Sequence, residues 1–250
     1  MNGETIKVPQ KDKTLTPGKL FYNWFAANIG IMGIVFGAII VSYHLSFLQA
    51  TLASLVGALS FAFPGWVAMI GKREGVTTFK LSRAAYGTQG NKLPNGIAWV
   101  NMVGWLAVNV ITGTLLLVAL LQVIHIAKSD WTVAVALAVF AGIVILSGLV
   151  NESVLAKIQT WLSWLFGILT VVILILFLMK ANWQQALAQP SGKWLGGFWP
   201  AVSIVAAGSG ISWSMAAADW GAYVKPQASQ SATFWHTLLG GACRCSFSVS

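Results

Sequence analysis

The sequence is short of charge, acid, histidine and cysteine. Only 8% of its 250 residues are charged, with six acids and three histidines in all. No polar stretch is long enough to fold as a separate soluble core. Cys243 and Cys245, the two cysteines, lie in the last few residues, so neither a disulfide framework nor a cysteine metal site is implied. No His-Glu-x-x-His occurs, which removes the zinc-hydrolase pattern. Residues 1–19 are polar, carry Lys7, Lys11, Lys13 and Lys19, and lack a short apolar core before a small-residue cleavage site. They read as a cytoplasmic tail rather than a signal peptide.

Apolar residues are abundant instead: 57% of the chain is hydrophobic, with 25 glycines and 13 tryptophans. Apolar runs recur at about 20–44, 47–70, 95–127, 131–150, 158–179 and 199–218, and another starts near Thr233. Each complete run is long enough to cross the hydrocarbon core of a bilayer. The expected fold is an all-α polytopic membrane protein, with a tail over 1–19 and a membrane domain over 20–239. That domain holds about six complete spans and the start of a seventh. Residues 240–250 depart from the apolar pattern of a starting span and read as an abrupt end.

Basic residues divide unevenly between the two sides. With the tail inside, the inner side holds Lys7, Lys11, Lys13, Lys19, Lys72, Arg73, Lys80, Arg83, Lys92, Lys157 and Lys225; the outer side holds Lys128, Lys180 and Lys193. Eleven against three places the N-terminus in the cytoplasm and the protein in the cell (inner) membrane. The net charge of +9 follows from this topology, so the bilayer, and not nucleic acid, is the expected partner.

Three patterns interrupt the apolar spans. Within the sixth, Ala206-Ala207-Gly208-Ser209-Gly210-Ile211-Ser212-Trp213-Ser214 is poor helix material at mid-membrane. A weak helix there is tolerable only inside the protein or beside a watery cavity. It suits a broken helix lining a substrate site, or a small-residue face packed closely on another helix. The first span carries Gly30, Gly33 and Gly37 on one face, which a packing groove explains, preceded by Asn28, whose amide needs a partner at that depth. In the third span Asn101, Trp105, Asn109 and Thr112 fall at i, i+4, i+8 and i+11, one polar stripe. That stripe suits a planar, hydrogen-bonding ligand stacked on Trp105, or interhelical hydrogen bonding. Asp219 reads as a cap or pairing group at the inner end of the sixth span. A Ser209–His125 or Ser209–His236 dyad is disfavoured because both histidines fall near span ends, so no enzymatic activity is expected.

The loop Ile70-Gly71-Lys72-Arg73-Glu74-Gly75-Val76-Thr77-Thr78, then Ser82-Arg83-Ala84-Ala85-Tyr86-Gly87 and Val103-Gly104-Trp105, resembles the nucleobase–cation symporter-1 family of purine and pyrimidine permeases. The likeness runs from Asn23-Trp24-Phe25 to Asp219-Trp220. It implies the N-terminal part of an inverted-repeat secondary transporter, with five plus five helices and the first and sixth broken. It further implies Trp105 as the stacking platform and Asn109 as a polar ligand contact. Asn28, Ser209, Gly210 and Ser212 would line the site, with Trp213 nearby. Backbone carbonyls of Ala26 and Gly30 would form the first-helix half of a sodium site. Members usually carry an aromatic where this chain has Gly210, and an arginine where it has Ala222. They are also far longer than 250 residues, and an eighth helix supplies their other sodium ligands.

The resemblance implies cation-coupled uptake of a nucleobase such as cytosine or a purine by alternating access. Sodium or a proton would be the coupling ion, and no cofactor would be needed. The alternatives are a symporter for another small metabolite (an amino acid, an allantoin-like compound or a pyrimidine derivative), or a truncated, non-transporting membrane protein.

Overall fold

The structure, a computed structural model, describes residues 7–29 and 31–243. Gly30 and the tail from Arg244 onward lie outside the described residues. The chain divides into two units, one made of residues 1–85 and 156–250 and the other of residues 86–155.

In the larger unit α1 (Pro17–Asn28) starts at Thr16-Pro17. The Thr16 hydroxyl accepts the Lys19 N–H at 3.3 Å, and proline occupies the first turn, where its missing N–H costs nothing. The helix stops at Asn28, and α2 (Ile31–Val41) leaves at 59° to it, so the first span is broken as expected. The second span, Phe47–Glu74, is built from α3 (Phe47–Leu59) and α4 (Ala62–Glu74). Ser46 and Gln49 form a capping box at its start, and Gly75, at φ 69°, ends it in the left-handed conformation. Two short helices follow, α5 (Thr78–Leu81) and α6 (Arg83–Gly90), the latter kinked at Gly87.

The smaller unit is dominated by two spans, α7 (Lys92–Val123) and α8 (Asp130–Leu149), packed on each other. Gly113 leaves the space that the Phe140 ring fills. Most of the remaining surface of these helices is apolar and open: Leu149 is 78% exposed and Trp131 75%. That composition suits lipid rather than water as the surrounding solvent.

The chain re-enters the larger unit along α9 (Glu152–Lys180), whose Lys157–Lys180 stretch is a further membrane span. Here Ser163 donates to the Tyr22 carbonyl at 2.9 Å, tying α9 to α1. After α10 (Trp183–Leu187), the segment at Gly192 is clamped to α3. Gln49 accepts the Gly192 N–H at 2.7 Å and donates to the Gly192 carbonyl at 3.1 Å. The sixth span runs over Trp194–Met215 and changes its winding three times. A π-turn over Trp194–Phe198 leads into α11 (Trp199–Val205), then a second π-turn over Ala206–Gly210 and a 3-10 turn over Ile211–Met215. Short α12 (Ala217–Gly221) and α13 (Gln230–Ala242) complete the unit.

Its core has two parts. Leu15, Leu20, Trp24, Phe61, Ala68, Ala217, Val224 and Leu238 pack where α1, α4, α12 and α13 meet. A second cluster joins α3 to α11 through Ala53, Ala58, Ala201 and Val205. Small residues permit both contacts. A side chain on Gly71 would collide with Ala218, and one on Gly221 with the Ala68 backbone. Without a hydrophobic driving force in lipid, such close backbone approach is what holds helices together.

Candidate functional site

The irregular stretch of the sixth span is drawn against the end of α1. Asn28 sits in the last turn of that helix, 1% exposed, and donates its amide N–H to the Trp24 carbonyl at 2.9 Å. Its amide oxygen accepts the Ser209 hydroxyl at 3.1 Å, and Ser209 is likewise 1% exposed. Asn28 thus finds the partner its depth requires, on the π-turn itself. Single π-turns inside helices mark places where the backbone is re-aimed, frequently at functional sites. The change to 3-10 winding comes at Gly210, whose φ and ψ of −91° and −91° are not helical.

Packing around this turn is close. A Cβ on Gly210 would fall on the Ser60 hydroxyl, and one on Gly208 would fall on the Phe36 ring. Gly210 therefore occupies a position where the neighbouring span leaves no room for a larger side chain. The broken-helix and close-packing explanations of this stretch hold together, at adjacent residues.

Trp213 meets Trp24 edge to face, with ring centroids 5.7 Å apart, and Trp24 also contacts Phe61 and Trp220 at 5.2 and 4.6 Å. Ser212 is half-buried beside it. Nothing in the residue pattern marks Trp24 as the hub of three other aromatic rings. Polar atoms of Asn23, Trp24 and Ser214 are buried with no hydrogen-bond partner among the described residues. Enclosed and unpaired, such groups gain most from a small polar guest.

Of the two carbonyls that the resemblance implies for a sodium site, that of Ala26 belongs to the last turn of α1, among the carbonyls a helix leaves without an intrahelical donor. Gly30 lies outside the described residues. Trp105 and Asn109 belong to the smaller unit. Trp105 is half-buried, while Asn109 is exposed and donates to the Trp105 carbonyl at 2.8 Å, one turn back on the same helix. His236 bonds the Ala232 carbonyl of its own helix at 2.7 Å, and the Ser209 hydroxyl is engaged by Asn28.

Asp219 caps, as the sequence suggests. It accepts the Thr78 N–H at 2.7 Å, and the Ala218 N–H donates to the Thr78 hydroxyl at 3.1 Å, locking α12 to the start of α5. Burial pushes the Asp219 carboxyl above the usual carboxylate range, against the opposing pull of Thr78. The folded state then holds this proton more tightly than the unfolded state. Its contribution favours the fold at acid pH and is lost as pH rises from the ordinary carboxylate range through the raised value. Asp219→Asn keeps the acceptor for Thr78 without the charge. Its melting temperature should exceed wild type at neutral pH and converge with it below about pH 4. An offset that stays constant across pH would contradict this.

A profile of the family described as a permease for cytosine/purines, uracil, thiamine and allantoin matches residues 7–249. Among curated proteins, YxlA of Bacillus subtilis (strain 168), provisionally named a purine-cytosine permease, is 25% identical over 245 residues. The match covers 93% of this chain and 49% of the relative, so the chain spans about half that protein's length. No solved structure matches the chain.

Proposed function

The chain belongs to the family of permeases for cytosine/purines, uracil, thiamine and allantoin, and from that premise we propose that it serves cation-coupled uptake of a nucleobase by alternating access. The observation that carries this reading is the Asn28–Ser209 hydrogen bond, which joins the break of the first span to the π-turn of the sixth. Interrupted helices are where transporters bind solute and ion, because their freed backbone groups need polar company. Trp105 supplies the face on which the base stacks, and Asn109 reads its hydrogen-bonding edge. The Ala26 carbonyl contributes to holding the coupling ion, sodium or a proton. The charge asymmetry supports a cytoplasmic N-terminus in the cell (inner) membrane.

A neutral heterocycle fits the first span better than an amino acid does. A carboxylate needs a cluster of donors, and residues 20–44 contain no lysine or arginine. The Asn28 amide already donates to the Trp24 carbonyl. The test is equilibrium binding of labelled cytosine to the purified chain, with unlabelled purines, pyrimidines and amino acids as competitors. Nucleobases should displace the label and amino acids should not. Displacement by an amino acid at equal concentration would sink the assignment.

A further inference from the structure

The N-terminal segment does not trail away from the bundle. The Val8 N–H donates to the Gly75 carbonyl at 2.8 Å, where α4 ends. A 3-10 turn over Gln10–Asp12 follows. Leu15 then pairs with the chain after α12: its N–H donates to the Tyr223 carbonyl at 3.0 Å, and its carbonyl accepts the Lys225 N–H at 2.9 Å. Leu15 and Val224 are both buried in the core. The segment is thus a strap, fixed at both ends.

The strap gathers charge that the linear sequence keeps apart. Lys7 and Lys13 come to Gly75, with the Lys13 ammonium lying over that glycine. Lys72 donates to the Pro226 carbonyl at 3.3 Å, and Lys225 is held beside Leu15. With Lys11 and Arg73, six cations share this end of the unit. Among the described residues of these segments the acids are Asp12 and Glu74, and Arg73 holds Glu74 at 2.8 Å. Lys7, Lys11 and Lys225 are exposed.

We propose that this strap-held patch binds the anionic headgroups of membrane lipids. Its position selects that partner. The patch lies where two membrane segments end: the first span begins at Pro17, two residues beyond Leu15, and the second ends at Glu74. Its cations therefore sit at headgroup depth, where each lysine near an anionic surface adds about 1 kcal/mol, or about a fivefold gain in affinity. The backbone bonds of the strap fix the main chain that carries the lysines, so ordering of that backbone is not a further cost of binding.

The experiment compares phosphatidylglycerol with phosphatidylcholine bound to the purified chain in neutral detergent. Wild type should retain the anionic lipid preferentially, and added salt should weaken that preference. Combining Lys7→Gln, Lys11→Gln and Lys225→Gln, all exposed, should lower phosphatidylglycerol affinity on the order of a hundredfold. It should leave phosphatidylcholine binding unchanged. Combining Lys128→Gln, Lys180→Gln and Lys193→Gln removes the same charge elsewhere and should have no such effect. Equal losses in the two triple variants would overturn the proposal, as would equal retention of the two lipids by wild type. So would displacement of the lipid by millimolar inorganic phosphate or by a short oligonucleotide, either of which would identify a soluble anion as the partner.

Discussion

Trp105→Ala is expected to cost roughly 1–3 kcal/mol of nucleobase binding, the range for stacking a base on an aromatic ring. That is about a ten- to hundredfold loss of affinity. Trp105→Phe keeps a smaller π face and should lose only a fraction of it. Asn109→Ala should change the ranking of bases that differ in their hydrogen-bonding edges, because the exposed amide is what α7 offers an edge. A packing role for Trp105 makes a different prediction. The ring is half-buried, so its loss would lower the melting temperature and leave the affinities of folded protein alone. Binding measured on variants with near wild-type melting temperatures separates the two. Unchanged affinity for every base in folded Trp105→Ala would place the stacking surface elsewhere.

Gly210→Ala should be the most damaging small substitution in the sixth span. The new methyl group would occupy the position of the Ser60 hydroxyl, and the Ser60 Cβ is 2.9 Å away. Overpacking of this kind typically costs about 1–3 kcal/mol. Ser60 also donates to the Gly57 carbonyl at 2.6 Å, so it cannot turn away without breaking a bond of its own. The rescue is specific. Ser60→Gly removes the two side-chain atoms that the methyl group meets, and the double variant should recover much of the lost melting temperature. Failure of Ser60→Gly to restore any stability would mean that Gly210 is required for its backbone angles and not for the space. An aromatic at this position, usual in the family, would need the second span displaced.

What the sequence made legible was local. Thr16-Pro17 marks the start of α1, and the glycines and serines over 206–214 mark the irregular turn of the sixth span, because capping and helix propensity act within a few residues. Asn28 was legible as a polar group in need of a partner, but its partner, Ser209, lies 181 residues away. No periodicity reaches that far. For the same reason Ser60 opposite Gly210, Gln49 on Gly192 and the three rings around Trp24 emerge only from the packed structure. In the sequence the strap reads as a plain tail, because its anchoring is through backbone bonds, which leave no mark on residue type. The third-span stripe shows the converse. Spacing aligned Trp105 with Asn109 correctly, and the structure adds that the Asn109 N–H is turned onto its own helix.

Uptake tests the central claim most directly. Cells lacking their own cytosine transport, and expressing this chain within a permease of the relative's full length, would be given labelled cytosine with and without an imposed cation gradient. The account predicts saturable uptake that unlabelled nucleobases compete away and that collapsing the coupling-ion gradient abolishes. Asn28→Leu, which removes the bond between the two interrupted spans, should reduce that uptake at equal expression. Uptake no greater than in cells without the chain, with the protein shown to be folded in the membrane, would contradict it.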